Sequence, residues 1–249
     1  MASLGQVLAV RQLAAAAAVG VLLLAAVGPG PVGWIAGLAF TVALVGLLAD
    51  SIRRADAAML GPADLVTLLR ATLIAGITAL VADGLATGIT PVPLLVALSA
   101  VALALDAVDG QVARRTGTVT ALGARFDMEA DAALLMVLSI HVAVLLGPWV
   151  LAIGLIRYVF VAVSWVLPWL GATLPPRWSA KAIAALQGIV LVVAAAELLP
   201  PFVTTLLVAG SLTLLVGSFA YDIPRLWRLA HRADEHSTDE HSTEAEPAP

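Results

Sequence analysis

Long apolar stretches alternate with short polar segments along most of the chain. The apolar stretches cover about residues 12–28, 33–50, 65–83, 92–109, 124–147, 149–170, 181–199 and 202–221. A helix that crosses the hydrocarbon of a bilayer needs about 20 apolar residues. Proline breaks helix interiors, and no proline falls at the centre of any stretch. The pattern therefore predicts an all-α, polytopic membrane bundle of about eight transmembrane helices.

The composition supports a membrane protein and excludes several kinds of site. Hydrophobic residues make up 61% of the chain and charged residues only 12%, whereas soluble domains carry about 25% charged residues. The absence of cysteine excludes disulfides, zinc–thiolate sites and thiol nucleophiles. Much of the acid behind the net charge of -4 lies in the last 17 residues. The body is therefore close to neutral, which gives no reason to expect a nucleic-acid partner.

Basic residues predict the orientation of the bundle. The loops near 28–32, 84–92, 148 and 200–201 contain no Lys or Arg. Because cytoplasmic loops are enriched in Lys and Arg, we expect both termini on the cytoplasmic side of a plasma-membrane protein. If the spans alternate, the basic residues on that side are Arg11, Arg53, Arg54, Arg114, Arg115, Arg125, Arg177, Lys181, Arg225, Arg228 and Arg232.

The two ends of the chain allow different interpretations. The first apolar stretch follows Arg11 and resembles a signal peptide in layout, but its removal would spoil the even number of spans. We therefore expect it to remain as a membrane helix. Residues 229–249 contain the sequence DEHST twice, and their polarity predicts a disordered, acidic cytoplasmic tail.

Four aspartates lie between two of the apolar stretches. Asp106 and Asp109 are three positions apart, and Asp127 and Asp131 are four apart, so each pair shares one face of a helix. The two helices form a hairpin that folds between residues 115 and 120, which can bring the four carboxylates together near the cytoplasmic surface. Carboxylates at a bilayer edge are costly unless something compensates them.

Bound cations are the compensation that we expect. Oxygen-only ligands select Mg²⁺ or Mn²⁺, and shared carboxylates can hold two such ions about 3.5–4 Å apart, which suits a diphosphate. Gly110 and Gly123 would let a nucleotide approach the backbone, and Arg114 would bind phosphate. The alternative is that the aspartates reach water and pair with Arg114, Arg115 and Arg125.

The aspartate segment resembles the signature of the CDP-alcohol phosphatidyltransferases, D-x-x-D-G-x-x-A-R-x8-G-x3-D-x3-D, with every spacing kept. The resemblance implies transfer of a phosphatidyl group from a CDP-linked lipid, such as CDP-diacylglycerol, to an alcohol acceptor with release of CMP. It implies that Asp131 is the general base and a further metal ligand. The other implied metal ligands are Asp106, Asp109 and Asp127, and the implied nucleotide-site residues are Gly110, Ala113, Arg114 and Gly123.

The resemblance extends over the six predicted helices between about residues 65 and 221. We accordingly predict a catalytic core over 61–228 and two additional N-terminal helices over 1–60. A second family element, P-N-x-x-T-x-x-R, is kept only in part: Thr67 and Arg70 match, whereas Ala63 and Asp64 replace the Pro-Asn pair. Thr67 and Arg70 are candidate nucleotide or diphosphate contacts. Alternatively, Arg70 reaches toward the lipid headgroups.

Three basic residues are candidates for acceptor binding. Arg157 lies within an apolar span, where an unpaired charge is expensive, so it lines an internal polar cavity, pairs with a motif aspartate or reaches the outer face. Arg177 and Lys181 attract an anionic acceptor or anchor their helix in anionic lipid. Together these residues favour a phosphorylated acceptor. His141 lies on an apolar helix face, and we expect a core residue with its polar atoms satisfied.

Two other functions fit parts of the pattern. A membrane prenyltransferase also binds Mg²⁺ and a diphosphate through aspartates, but its clusters would be far apart in sequence. A cation transporter would hold its ions near the bilayer midplane rather than at one edge. The acceptor alcohol stays open, as does the choice between Mg²⁺ and Mn²⁺. Related enzymes are often dimers, so a homodimer is one assembly consistent with the resemblance.

Overall fold

The chain folds into helices that match the predicted spans one for one. The computed structural model describes residues 4–55, 62–116, 121–167, 169 and 178–244, and within these residues there is no strand. The prediction of an all-α membrane bundle of eight helices is confirmed. The helices are α1 (Leu4–Val27), α2 (Pro31–Ala55), α3 (Pro62–Thr87), α4 (Val92–Thr116), α5 (Ala121–Leu146), α6 (Leu151–Val166), α7 (Trp178–Ala195) and α8 (Pro201–Glu244).

Proline and glycine set several of the helix ends. Pro31, Pro62 and Pro201 are the first residues of α2, α3 and α8, where the missing N–H of proline costs no helical hydrogen bond. Gly88 follows α3 with φ +75°, and Gly147 follows α5 with φ +105°. These left-handed conformations favour glycine, which therefore ends both helices sharply.

Helix α3 lies at the centre of the bundle and contacts α1, α2, α4 and α5. In the most apolar 18-residue part of Val66–Thr87, 72% of the residues are buried, against 17% and 22% in the corresponding parts of Pro148–Val166 and Pro201–Arg228. Helices α6 and α8 therefore lie at the periphery. These three segments and Phe126–Leu146 are long and apolar enough to cross a membrane, and the chain is an integral membrane protein.

The two N-terminal helices pack directly on α3. At Gly33 of α2, a Cβ atom would lie 2.7 Å from the backbone oxygen of Ala79 in α3. At Gly37, one turn later, a Cβ would lie 2.6 Å from a methyl of Leu24 in α1, which is fully buried. The absent side chains let α2 lie close against α1 and α3. Helices α1 and α2 thus cover one side of the central helix.

Helix α8 continues well past its apolar segment. The helix passes through Pro224 and runs to Glu244, so the structure gives residues 229–244 a helical backbone where their composition predicts disorder. Extending an existing helix costs less than nucleating a new one, and no proline follows Pro224 before residue 247.

Candidate active site

Three of the predicted aspartates meet at one end of the bundle. Asp106 comes from α4, and Asp127 and Asp131 come from α5. Each offers a carboxylate oxygen, and these three oxygens lie within 4.8 Å of one another. Asp127 is the second residue of the apolar segment Phe126–Leu146, and Asp106 is near the end of Val92–Val108. We call this end of the bundle the aspartate end.

Arg70 of α3 lies among the three carboxylates. Its Nη1 lies 2.5 Å from Oδ1 of Asp106, and its Nη2 lies 2.7 Å from Oδ1 of Asp127 and 2.9 Å from Oδ1 of Asp131. The same Nη2 also donates to the backbone oxygen of Asp127 at 3.2 Å. One guanidinium therefore joins the central helix to both helices of the aspartate hairpin.

The arginine and the carboxylates differ sharply in exposure. The side chain of Arg70 is fully buried, whereas those of Asp106, Asp127 and Asp131 are 35%, 36% and 45% exposed. Arg70 thus lies behind the carboxylates, which keep an accessible side. The site is open to a ligand on the side away from Arg70.

The donor set fits a hard divalent cation. Arg70 balances only one of three carboxylate charges, so the cluster keeps an excess of negative charge. Each contact with Arg70 uses one carboxylate oxygen, and a carboxylate has two that can accept or coordinate. Oxygen ligands with excess negative charge suit Mg²⁺ or Mn²⁺.

The predicted nucleotide residues are described only in part. Thr67 lies one turn before Arg70 on α3 and is buried, with 3% exposure. Gly123 lies four residues before Asp127 on α5 and is half-buried. The side chains of the remaining predicted residues at this end lie outside the described part of the structure: Asp109, Gly110, Ala113, Arg114 and Arg177.

Arg157 pairs with an acid that the sequence analysis did not single out. Its Nη2 donates to Oε1 of Glu129 at 2.6 Å, and the two side chains are 31% and 51% exposed. The partner is therefore not one of the motif aspartates. Glu129 lies between Asp127 and Asp131 in sequence, which brings Arg157 of α6 close to the aspartate end. Lys181 is exposed on α7.

The sequence analysis thus predicted neither the contact of Arg70 with the acids nor the pairing of Glu129 with Arg157. A cluster of acids at a bilayer edge requires a nearby cation, and this requirement was a signal for Arg70. Glu129 gave a weaker signal, since residues two apart point to different sides of a helix. His141 was expected to be satisfied, but its Nε2 has no hydrogen-bond partner within the described residues.

Comparison with known proteins shows a family match over most of the chain. The family model for CDP-alcohol phosphatidyltransferase matches residues 60–217, well over half of the chain. No curated protein and no solved structure matches the chain. The matched region begins just before α3 and ends within α8, so it includes Arg70 and the three aspartates that contact it, Asp106, Asp127 and Asp131.

Proposed function

The chain belongs to the CDP-alcohol phosphatidyltransferase family, and we propose that it transfers the phosphatidyl group of CDP-diacylglycerol to an anionic, phosphorylated alcohol. Membership of the family implies a membrane transferase of phospholipid synthesis that takes its group from a CDP-alcohol. The donor, the acceptor and the roles of individual residues are our proposal.

The observation that carries the proposal is the cluster of Asp106, Asp127 and Asp131 around Arg70. Three helices contribute to it, its oxygens lie within 4.8 Å of one another, and its carboxylates remain accessible while the arginine is buried. Such a pocket can receive a metal-bound diphosphate from the open side. Its position at one end of the apolar segments lets a lipid donor keep its acyl chains in the bilayer.

We assign metal binding to Asp106, Asp109, Asp127 and Asp131, with two Mg²⁺ or Mn²⁺ ions as cofactors. When bound, these ions supply positive charge that stabilises the charge developing on the CMP leaving group. Arg70 contacts three of these carboxylates, so we assign to it the orientation of the acids. Thr67, Gly110, Ala113, Arg114 and Gly123 complete the proposed donor site.

Asp131 is the proposed general base. The acceptor hydroxyl gives its proton to the Asp131 carboxylate, and the acceptor oxygen forms a bond to the phosphorus that carries diacylglycerol. The bond from this phosphorus to the bridging oxygen breaks, and CMP leaves with that oxygen. A single in-line displacement inverts the configuration at phosphorus. Arg70 holds Oδ1 of Asp131 at 2.9 Å, which orients the carboxylate for proton transfer.

Arg157, Arg177 and Lys181 are the proposed acceptor residues. The ion pair of Arg157 with Glu129 is partly exposed, and such pairs contribute less than about 1 kcal/mol. An acceptor phosphate can therefore replace Glu129 as the partner of Arg157 at little cost. Lys181 is near enough to Asp127 for an electrostatic interaction, which places a second positive charge toward the same site.

The basic residues of the sequence support a cytoplasmic aspartate end in the plasma membrane. We further propose that residues 61–228 form the catalytic core and that residues 1–60 are an addition to it. Helices α1 and α2 pack mainly on α3 and on each other, with a smaller contact between α2 and α5, which supports this division.

The test is CMP release from CDP-diacylglycerol by the purified full-length protein in lipid nanodiscs. We expect release to require an added phosphorylated alcohol and Mg²⁺ or Mn²⁺, and to stop when EDTA is added. Asp131→Asn should be inactive. Asp83→Asn is the matched control, because Asp83 lies at the opposite end of α3, and it should retain full activity.

Different results would exclude the proposal in distinct ways. Release of diphosphate from a prenyl lipid, with none of CMP, would indicate a prenyltransferase. Cation flux in liposomes without any CMP release would indicate a transporter. Retained turnover in Asp131→Asn would exclude this residue as the base.

A further inference from the structure

A cavity of about 430 Å³ lies at the end of the bundle opposite the aspartates. Its walls include the last turn of α3 (Gly84, Leu85), the start of α4 (Val92) and the last turn of α5 (Val144, Leu145). This volume is typical of small-molecule sites, which range from about 300 to 1,000 Å³. The cavity has no role in the proposed transfer reaction, since it is far along the helices from Arg70.

Three polar side chains, those of Thr90, His141 and Glu197, interrupt the otherwise apolar wall. His141 of α5 is 7% exposed, and its Nε2 has no hydrogen-bond partner among the residues that the structure describes. A buried polar atom without a partner is costly, so a hydrogen-bond donor placed against this nitrogen would be stabilising. Glu197, just after α7, is exposed and contributes a carboxylate to the same cavity.

The electrostatics of the cavity favour a cation. Helices α3, α5 and α7 all end beside it, and each helix C-terminus carries a partial negative charge. Helix α4 begins there, and α6 and α8 begin within six residues of the lining residues Leu145 and Glu197, so these N-termini offset part of that charge. The sequence has no Lys or Arg in 71–113, 126–156 or 182–224, which are the segments that form this end. The charge of Glu197 therefore has no basic side chain near it within these segments.

We infer that this cavity is a second binding site, separate from the aspartate cluster, for an amphiphilic ammonium compound. The ammonium group donates hydrogen bonds to Glu197 and to Nε2 of His141, which has a lone pair in the neutral ring. The hydrocarbon part lies against Leu85, Val92 and Val144. An aminophospholipid headgroup and a free alkylamine share this chemistry.

The test uses octylamine, which is protonated at pH 7, and the full-length protein in phosphatidylcholine nanodiscs. Calorimetric titration, with empty nanodiscs as the blank, should show saturable binding. We expect 1-octanol to bind at least about tenfold more weakly, since hydrogen bonds to charged groups are the stronger ones, and octanoate not to bind.

Variants distinguish binding in the cavity from general attraction of the cation to negative charge on this surface. Glu197→Gln should weaken octylamine binding about tenfold. His141→Phe, which keeps an aromatic ring but has no nitrogen, should weaken it about fivefold. Asp83→Asn is the matched control, because Asp83 is an acid at the same end that does not line the cavity, and it should bind octylamine as the wild type does. Circular dichroism and thermal unfolding check that each variant is folded.

Nanodiscs that contain phosphatidylethanolamine distinguish the two sources of the ammonium group. If the lipid headgroup is the natural ligand, it competes and octylamine binds more weakly. If a free amine is the ligand, octylamine affinity is the same in both lipids. Either result supports the site. Non-saturable partitioning of octylamine, or equal affinity in wild type and Glu197→Gln, would overturn it.

Discussion

Arg70 of α3 donates from Nη2 to Oδ1 of Asp131 in α5 at 2.9 Å, although 61 positions separate the two residues in sequence. The same nitrogen lies 2.7 Å from Oδ1 of Asp127. Because the arginine is fully buried and the acids are not, the contact positions Asp131, the proposed general base, from behind. Two features that are separate in sequence, the P-N-x-x-T-x-x-R remnant and the aspartate signature, therefore form one site.

Replacing Arg70 by Met should destabilise the protein and reduce its activity. The change leaves three neighbouring carboxylates without their buried countercharge. Removing one partner of a buried ion pair costs about 3–5 kcal/mol, and we expect about 3 kcal/mol because the acids are partly exposed. Unfolding in dodecyl sulfate, followed by circular dichroism, measures the stability.

Divalent ions provide a second readout for Arg70→Met. Added Mg²⁺ or Mn²⁺ should raise the melting temperature of this variant more than that of the wild type, since the unbalanced carboxylates repel one another. Arg70→Lys keeps the charge but loses the two-pronged donor geometry. The rise in its melting temperature on adding Mg²⁺ or Mn²⁺ should lie between those of the wild type and Arg70→Met. A wild-type melting temperature in Arg70→Met would contradict the structural role.

Asp131→Asn should lower the rate of CMP release by about 10²–10⁴-fold, the usual contribution of a general base. Asn keeps the shape of the side chain and can still accept from Arg70 but cannot take the proton. Because Asn also keeps an amide oxygen that can coordinate a metal ion, we expect the variant still to bind CDP-diacylglycerol in an equilibrium binding measurement. Loss of binding together with activity would instead indicate a metal-ligand role alone.

Opposite effects are expected from the two members of the Arg157–Glu129 pair. Arg157→Gln should raise KM for a phosphorylated acceptor about tenfold, the cost of a charge-assisted contact, and leave KM for CDP-diacylglycerol unchanged. Glu129→Gln should lower KM for the acceptor, since it releases Arg157 from its 2.6 Å contact. A parallel change in both variants would show that the pair has only a structural role.

Gly154 of α6 should not tolerate a side chain. A Cβ there would lie 2.6 Å from Cα of Met136 in α5, and this is backbone that cannot rotate away. Overpacking of this kind costs about 1–3 kcal/mol, so Gly154→Ala should unfold at a lower dodecyl sulfate fraction. Gly210 of α8 is the control, because no atom lies within 4 Å of a Cβ built there. Gly210→Ala should not destabilise the protein.

The apolar centres of the helices were predictable because their physical cause is local, and for two helices the predicted ends were close as well. The stretch near 65–83 became α3 (Pro62–Thr87), and the stretch near 124–147 became α5 (Ala121–Leu146). Each needs enough apolar residues to cross a bilayer, and proline or glycine where it ends. The tail differed, since composition alone takes no account of a helix that already precedes it.

The sequence by itself determined the number of helices, the family and the residues of the aspartate signature. These depend on hydropathy along the chain and on fixed spacings within two helices. Only the tertiary structure decided that Arg70 lies behind Asp106, Asp127 and Asp131, that Arg157 pairs with Glu129, and that His141 lines a cavity. Each of these contacts joins different helices, and the packing of whole helices against one another, which no local pattern encodes, sets which side chains meet.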